Sequence, residues 1–339
     1  MGVVATFTAR LLRGPVILSA WLAFTAGACG GPTTPRPPGP FAQCPANVQV
    51  ESADGAPIAV TFPQPIATGG TEPLTVSCTP ASGTVLPVGA HPTTCVVTDA
   101  AGQTAACTFS ITVKGPPRLT LTNFMAFGDS LTWGVFRDSV PTLRRYAILP
   151  DVPPPAEAYP NQLEQMLRAR YRQQTPVVQN FGFGGEVVDD GGAGDVVSVG
   201  VTRLPAALDA RPDTQALLLM EGTNDLLGFE AGADRAIEGL RRMVAHAKQR
   251  GLRVFLATIP PQRPGGRRDR VAQIIPGFND RIRALAASEG VILVDVYDAL
   301  KDKLYLISID DLHPTAQGYV VIAQTFFDVI RAQLEATSP

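Results

Sequence analysis

Charge is scarce in this 339-residue chain. Asp, Glu, Lys and Arg make up 17% of it, and 28 basic against 30 acidic residues leave a formal charge of −2. No basic run or stripe stands out, which argues against a nucleic-acid partner. Histidine is scarcer, with three residues, so any reaction that needs an imidazole has few places to find one. The apolar run over residues 15–28 is too short to span a bilayer comfortably. Residues 41–114 hold only three aromatics, Phe41, Phe62 and Phe109, and no cluster of them for stacking on a ligand. Asp189, Asp190 and Asp195 lie in a Gly-rich stretch, but their spacing fits no EF-hand loop. No metal or other cofactor is expected.

What is present fits a globular protein. The apolar fraction is 45%, enough for a substantial core, and the length suggests about two domains. Glycine (32) and proline (31) are abundant and concentrate in linkers and loops.

The N-terminus reads as a targeting segment. Arg10 and Arg13 precede the uncharged apolar run, which ends in Ala26-Gly27-Ala28 before Cys29. That is the order of a cleaved secretory signal over residues 1–28. It resembles bacterial lipoprotein signals, in which the cysteine after the cut carries lipid, although Ala26 stands where leucine is commonest. Ordinary secretion with a spare thiol at Cys29 is the alternative. Both place the protein outside the cytoplasm, in the cell envelope or secreted, and the membrane is reached only through a lipid anchor. Residues 29–40, rich in proline, glycine and threonine, form a semi-extended spacer.

Residues 41–114 show no helical periodicity. Alternating runs recur at Val48/Val50, Ile58/Val60/Phe62, Leu74/Val76/Cys78 and Cys107/Phe109/Ile111/Val113, with Asp54-Gly55, Gly69-Gly70 and Ser82-Gly83 between them. Short strands with such turns predict a small β-sandwich. About seventy residues is marginal for one core, so staples are expected. Cys44, Cys78, Cys95 and Cys107 can form them in three connectivities. Several features resemble the hyalin-repeat (HYR) family of immunoglobulin-like modules: Cys44-Pro45, Cys78-x-Pro80-x-Ser82-Gly83, Leu86-Pro87-Val88-Gly89, Cys95 followed by Asp99-Ala100-Ala101-Gly102, and the closing Cys107-x-Phe109-x-Ile111-x-Val113. The resemblance implies the pairs Cys44–Cys107 and Cys78–Cys95. Such a module could bind a glycan or protein; with no aromatic cluster, a spacer role is slightly favoured.

Lys114-Gly115-Pro116-Pro117 marks a boundary, and the period changes beyond it. Strands are predicted over 121–127, 177–179, 216–220, 254–258 and 291–294. Helices are predicted over 159–171, 234–250, 271–288 and 315–334. Strands alternating with helices give a parallel sheet covered on both faces. Irregular segments at 135–158, 186–200 and 260–270 should border a site at the strand ends. The last holds Arg263, Arg267 and Arg268, which read as a solvated face more readily than as an anion patch.

Four blocks carry chemistry. Residues 124–134 run from an apolar strand into Gly128-Asp129-Ser130-Leu131. Asn180-Phe181-Gly182-Phe183-Gly184-Gly185 follows Val177-Val178. Glu221-Gly222-Thr223-Asn224-Asp225 follows the run 216–220, and Asp310-Asp311-Leu312-His313-Pro314 lies near the C-terminus. A lone serine after Gly-Asp could equally cap a helix. Four blocks in this order resemble the SGNH/GDSL hydrolase family over about residues 120–336. The resemblance implies a five-stranded flavodoxin-like α/β fold, a three-layer sandwich, over 118–336.

Of the three histidines, His91 sits in a turn of the β module and His246 on a predicted helix; only His313 matches a catalytic block. Asp310, three residues before it, can reach one ring nitrogen and leave the other for Ser130. By resemblance, Ser130 is the nucleophile, His313 the base and Asp310 its partner. Oxyanion donors are implied at the Ser130 amide, the Gly185 amide and the Asn224 side chain. Gly182 and Gly184 compete with Gly185, and Glu186-Val187 replaces the family's common Asp-Thr. Asn224 could instead cap the following helix, as could Asp225. Asp311 should point to solvent or a backbone amide.

The expected protein is an exported serine esterase without cofactor. Its substrate would be a small-molecule or glycan ester, with short acyl groups favoured and lysophospholipid also open. The alternative is an adhesion or glycan-binding protein on an inactive hydrolase scaffold.

Overall fold

The computed structural model describes residues 37–135, 154–194 and 196–336. The signal segment 1–28, Cys29, most of the spacer, Asp195 and most of the irregular segment 135–158 lie outside the described residues.

The N-terminal part is all-β. Its strands are β1 (Pro40–Gln43), β2 (Val48–Glu51), β3 (Ile58–Val60), β4 (Ile66–Gly69), β5 (Thr75–Thr79), β6 (Thr84–Leu86), β7 (Gly89–Thr98) and β8 (Thr104–Lys114). They form a four-stranded sheet, β2-β8-β7-β5, and two ribbons, β1-β4 and β3-β6. Val60 and Leu86 of one ribbon, with Phe62, pack on Cys95, Phe109, Ile111 and Val113 of the sheet. Phe62 and Phe109 meet edge to face at 5.0 Å, as core aromatics do. This core is small, and two disulfides staple it: Cys44–Cys107 across 63 residues and Cys78–Cys95 across 17. Closing such loops in the unfolded chain is worth about 3–4 kcal/mol each on the chain-entropy account. The sequence pattern located β2, β3, β5 and β8 but passed over β7. Pro92 and a run of threonines hide that strand, although it spans ten residues.

The second part is α/β. Strands β10 (Asn123–Gly128), β11 (Val177–Gly182), β12 (Ala216–Met220), β13 (Arg253–Ala257) and β14 (Ile292–Val294) form one sheet in the order β11-β10-β12-β13-β14, every pair parallel. That is the doubly wound order whose ligand crevice lies where the winding reverses, between β10 and β12. Alternate residues of β10 face opposite layers. Met125 and Phe127 join the core beneath α3 (Gly200–Ala210), α4 (Phe229–Gln249) and α5 (Asp269–Glu289). Phe124 and Ala126 join the core beneath α2 (Tyr159–Arg170), α6 (Val296–Leu300) and α7 (Ala316–Leu334). β12 alternates the same way, and all five of its residues are buried. The result is a three-layer sandwich.

The helices start and stop where their residues dictate. Pro160 opens α2, where a missing N–H costs nothing. The Thr315 hydroxyl accepts the Gly318 N–H to cap α7, and Gly290, at φ 64°, ends α5. Tyr159 and Phe326 stack at 5.0 Å and bind α2 to α7. Helix α3 was not predicted. It starts after Val199 without a side-chain cap and carries Pro205 inside, so its sequence gives a helix signal too weak to read. The two ends of this α/β part are joined: β9 (Arg118–Leu119) pairs antiparallel with β15 (Glu335–Ala336), beside the Arg170–Glu335 ion pair.

Candidate active site

Strand β10 is buried up to Gly128, which can hold no side chain. A Cβ there would lie 2.0 Å from the Met220 carbonyl and 2.4 Å from the Thr132 hydroxyl. The chain must then turn at once into the four-residue α1 (Ser130–Trp133). The cap of that helix is Asp129, whose Oδ1 accepts the Leu131 N–H at 2.8 Å. Ser130 is therefore relieved of the capping role that its sequence position allowed. Its hydroxyl instead lies 2.9 Å from Nε2 of His313.

His313 is delivered by the loop before α7. The Ile307–Pro314 bridge closes that loop, and the Ser308 N–H donates to the His313 carbonyl at 2.7 Å. Inside it, Asp310 is held by its own neighbours. Oδ1 accepts the N–H groups of His313 at 3.0 Å and Leu312 at 3.2 Å, and Oδ2 lies 2.6 Å from His313 Nδ1. Burial works to raise the Asp310 pKa, but the His313 ring and the two amides outweigh it and hold the carboxyl at about 2. An ionised carboxylate facing Nδ1 fixes the tautomer with the proton on Nδ1, leaving Nε2 to accept from Ser130.

Asp311 goes elsewhere. It sits at φ 66°, and its side chain neither faces solvent freely nor meets a backbone amide: Oδ1 pairs with Arg263 Nη1 at 3.4 Å. Its carbonyl accepts the Arg263 N–H at 3.0 Å. Arg263 thus anchors this loop. Arg268 also departs from a solvated face: it is half-buried, with Nη1 unpartnered. Burial lowers its pKa, while the charges of Asp129 and Asp310 act the other way.

The glycine block has one strained and several committed positions. A Cβ on Gly182 would strike the Trp133 backbone at 2.0 Å, so that glycine serves the contact between β11 and α1. Its N–H donates to Asn180 Oδ1, and the Phe183 N–H donates to the Gly128 carbonyl. The Gly184 and Gly185 amides donate to no described residue. Gly185 is exposed and sits at φ 80°, which strongly favours glycine. The Ser130 amide is likewise uncommitted among the described residues. Asn224 precedes a short 3-10 helix but makes no capping bond; its Nδ2 donates to the Glu186 carbonyl at 2.7 Å. Asp225 does not cap either. Its carboxylate accepts the N–H groups of Val188 and Asp189, and so ties the segment after the glycines to the end of β12.

Beneath these residues lies a set of buried acids that the sequence did not advertise as a group. Burial pushes Asp129 up to about 7, opposed by the Leu131 N–H and assisted by the charges of Glu186 and Asp225. Burial raises Asp225 to about 7 as well, against the Val188 and Asp189 amides. Glu221 is raised well above the carboxylate range, by burial first and then by Glu186 and Asp129. Neither Glu221 oxygen has a hydrogen-bond partner among the described residues, and a Cβ on Gly200 would lie 2.8 Å from both. Among the described residues, the one cation bonded into the group is Arg203, which holds the Glu186 carboxylate through Nε at 2.6 Å and through Nη2. Polar residues at the ends of apolar strands, Asp129 and Glu221, were a legible sign of such a group. Arg203, in an unpredicted helix, was not.

Other singled-out residues lie away from this centre. His91 Nε2 is 2.7 Å from the Pro87 carbonyl, and the His246 ring accepts from Arg250. Asp190 closes a turn by accepting the Gly192 and Gly194 amides, and Asp189 pairs with Arg242.

Comparison with known proteins gives the family. The GDSL-like lipase/acylhydrolase family matches residues 126–321, and the HYR domain matches residues 36–113. The chain belongs to the GDSL-like lipase/acylhydrolase family and is an ester hydrolase. The native aryl esterase of M. smegmatis superposes with a TM-score of 0.50 at 21% identity, over 62% of this chain and 99% of that one, and shares the fold. A carbohydrate acetylesterase from Sinorhizobium meliloti gives 0.48 at 21% identity, covering 62% and 98%. A putative arylesterase from Agrobacterium tumefaciens gives 0.48 at 25%, covering 62% and 99%. No curated protein matches the chain.

Proposed function

We propose that this chain is an exported serine esterase that hydrolyses short-chain carboxylic esters, with acetyl groups on glycans the favoured substrates, through an acyl-enzyme on Ser130. The observation that carries this is the His313 ring bridging Ser130 Oγ at 2.9 Å and Asp310 at 2.6 Å. His313 takes the serine proton as Oγ attacks the ester carbonyl, and returns it to the leaving alcohol. Water then repeats the sequence in reverse roles and frees the acid. Asp310 orients the ring and stabilises the imidazolium. The amides of Ser130 and Gly185 and the side chain of Asn224 receive the oxyanion. Their spare N–H groups, that of Gly185 on exposed backbone, support that role. Acetyl and aryl esters are named for the family-like esterases above, and here they guide the choice of substrate. Hydrolysis of p-nitrophenyl acetate, abolished by Ser130→Ala, tests the proposal. A folded wild type without turnover on any acetyl or short-chain ester would leave the inactive, glycan-binding alternative.

The domain plan follows: signal 1–28, spacer 29–40, HYR-like module 41–114 and hydrolase 118–336. Two disulfides fit an oxidising compartment, and no helix among the described residues is long and apolar enough to cross a membrane. Lipid on Cys29 would then be the anchor. Cys29→Ser should move the protein from the membrane to the soluble fraction; a soluble wild type with no lipid mass on Cys29 would refute this.

A further inference from the structure

Glu186 and Arg203 take no part in the proton transfers above, yet they touch both halves of the site. Glu186 is fully buried, directly after the exposed Gly185. Its carboxylate receives Arg203 Nε, Arg203 Nη2 and, at 2.5 Å, the Ser198 hydroxyl. Its backbone carbonyl receives Asn224 Nδ2. Arg203 reaches the other way too. The same Nη2 donates to the Gly128 carbonyl at 3.2 Å, two residues before Ser130, and the guanidinium lies 3.9 Å over the Phe127 ring.

We propose that the Arg203–Glu186 pair is the positioning element that sets the oxyanion donors against the nucleophile. This rests on the esterase function proposed above. One rigid guanidinium spans the end of the strand that leads into Ser130 and the loop that carries Gly185, so it fixes their separation. Glu186 passes that restraint to Asn224. An amide nitrogen has two hydrogens. The Glu186 carbonyl holds one, which sets the rotation of the side chain and the direction of the other. Charged groups suit this role, because short, charge-assisted bonds on a planar fork hold geometry more tightly than neutral ones. Displacing reacting groups by about 1 Å can cost roughly 100-fold in rate, so a bond network that holds them is visible in kcat. The position where the family commonly has aspartate carries glutamate here. Its longer arm reaches across to α3, and Arg203 is the residue it finds.

The test is kinetic, on the full chain with p-nitrophenyl acetate. Wild type against Ser130→Ala first establishes turnover on Ser130; its absence would defeat the esterase proposal and leave the positioning question without a reaction to position. Arg203→Lys keeps the charge but cannot span Glu186 and Gly128 together. Glu186→Leu with Arg203→Met replaces the pair by apolar groups. With folding verified by circular dichroism, kcat should fall about 10- to 100-fold with KM within about 2-fold. Affinity for a trifluoromethyl ketone, whose oxyanion fills the same hole, should fall by the same factor as kcat/KM. In an Asn224→Ala background the same substitutions should cost at least about 3-fold less than in the wild type, because the share that acts through Asn224 is gone. A purely structural pair would lower the melting temperature and leave these ratios alone. Folded variants with wild-type kcat, or losses that multiply in full with Asn224→Ala, overturn the proposal. Should both variants fail to fold, Ser198→Ala decides, since it removes one of the two bonds to Glu186 Oε2 and keeps the ion pair. A kcat loss of about 3-fold that shrinks in the Asn224→Ala background upholds the proposal, and an unchanged kcat overturns it.

Discussion

Asp310→Asn is the sharpest perturbation, because a second aspartate stands beside it as a control. The carboxyl of Asp310 is held at about 2, against an ordinary 3.8. A displacement of that size corresponds to about 2 kcal/mol of preference for the ionised form, and solvent at a half-buried rim trims it to ~1–2 kcal/mol. If a similar amount stabilises the imidazolium, its loss alone slows the reaction roughly 5- to 30-fold. The larger effect is on the tautomer. Asparagine would turn an N–H toward Nδ1, moving the ring proton to Nε2, where it faces Ser130 and blocks proton abstraction; in the trypsin precedent the toll was about 10⁴. Together they place the expected loss in kcat at about 10²–10⁴. The fold should survive, because Oδ1 can still accept the amides of Leu312 and His313. Asp311→Asn should leave kcat within about 2-fold. It loses one long ion pair to Arg263, worth less than about 1 kcal/mol, and asparagine tolerates φ 66°. The assay is kcat on p-nitrophenyl acetate for both variants, with circular dichroism as the folding control. A dead Asp311→Asn beside an active Asp310→Asn would refute the assignment.

Other outcomes follow from the same geometry. Asn224→Ala should reduce kcat about 10²- to 10³-fold with little change in KM, as for one oxyanion donor; a loss confined to KM would mean that the amide binds ground-state substrate instead. A chain starting at Pro116 should keep its turnover on a small soluble ester, because the two hydrolase cores and the β-module core share no residue; a collapsed kcat in that folded chain would assign the module a part in the site. Asp129, raised from 3.8 to about 7, contributes stability that is complete below about pH 4 and lost as pH rises to about 7. The wild type should therefore lose up to ~4 kcal/mol from this group between those limits, and Asp129→Asn should flatten the fall in melting temperature between pH 5 and pH 8. An equally steep fall in the variant would remove Asp129 as its cause.

The hydrolase fold was largely legible because its strands are nearly pure apolar runs. Residues 216–220 could be read to the residue, since a central parallel strand has no polar face to blur its ends. Three of the four blocks were legible because each sits where a strand stops and chain geometry allows few residue types; the fourth lies in the loop before α7. Helix α3 escaped because its cap and interior break the usual signals, and with it went Arg203. The fate of Asp225 was also hidden. Its carboxylate serves amides 36 and 37 residues away, a contact that no local pattern encodes. In the module, the disulfide pairing came from family resemblance, whereas β7 was lost because threonine-rich strands look like loops.

The antiparallel clasp of β9 on β15 brings the first and last residues of the hydrolase unit side by side. The Leu119 end leads into the N-terminal end of β10, while Ser130 follows its C-terminal end. Chain therefore enters and leaves at the edge of the sheet remote from the chemistry. Such a unit behaves as a cassette: what is fused ahead of residue 118 can be exchanged, lengthened or deleted without redrawing the catalytic face. It could also be circularly permuted, with 336 joined to 118 by a short linker and new ends opened in a surface loop. Lineages sharing this hydrolase can on that account acquire or shed an N-terminal module in a single recombination event that leaves the sheet and its catalytic face uncut.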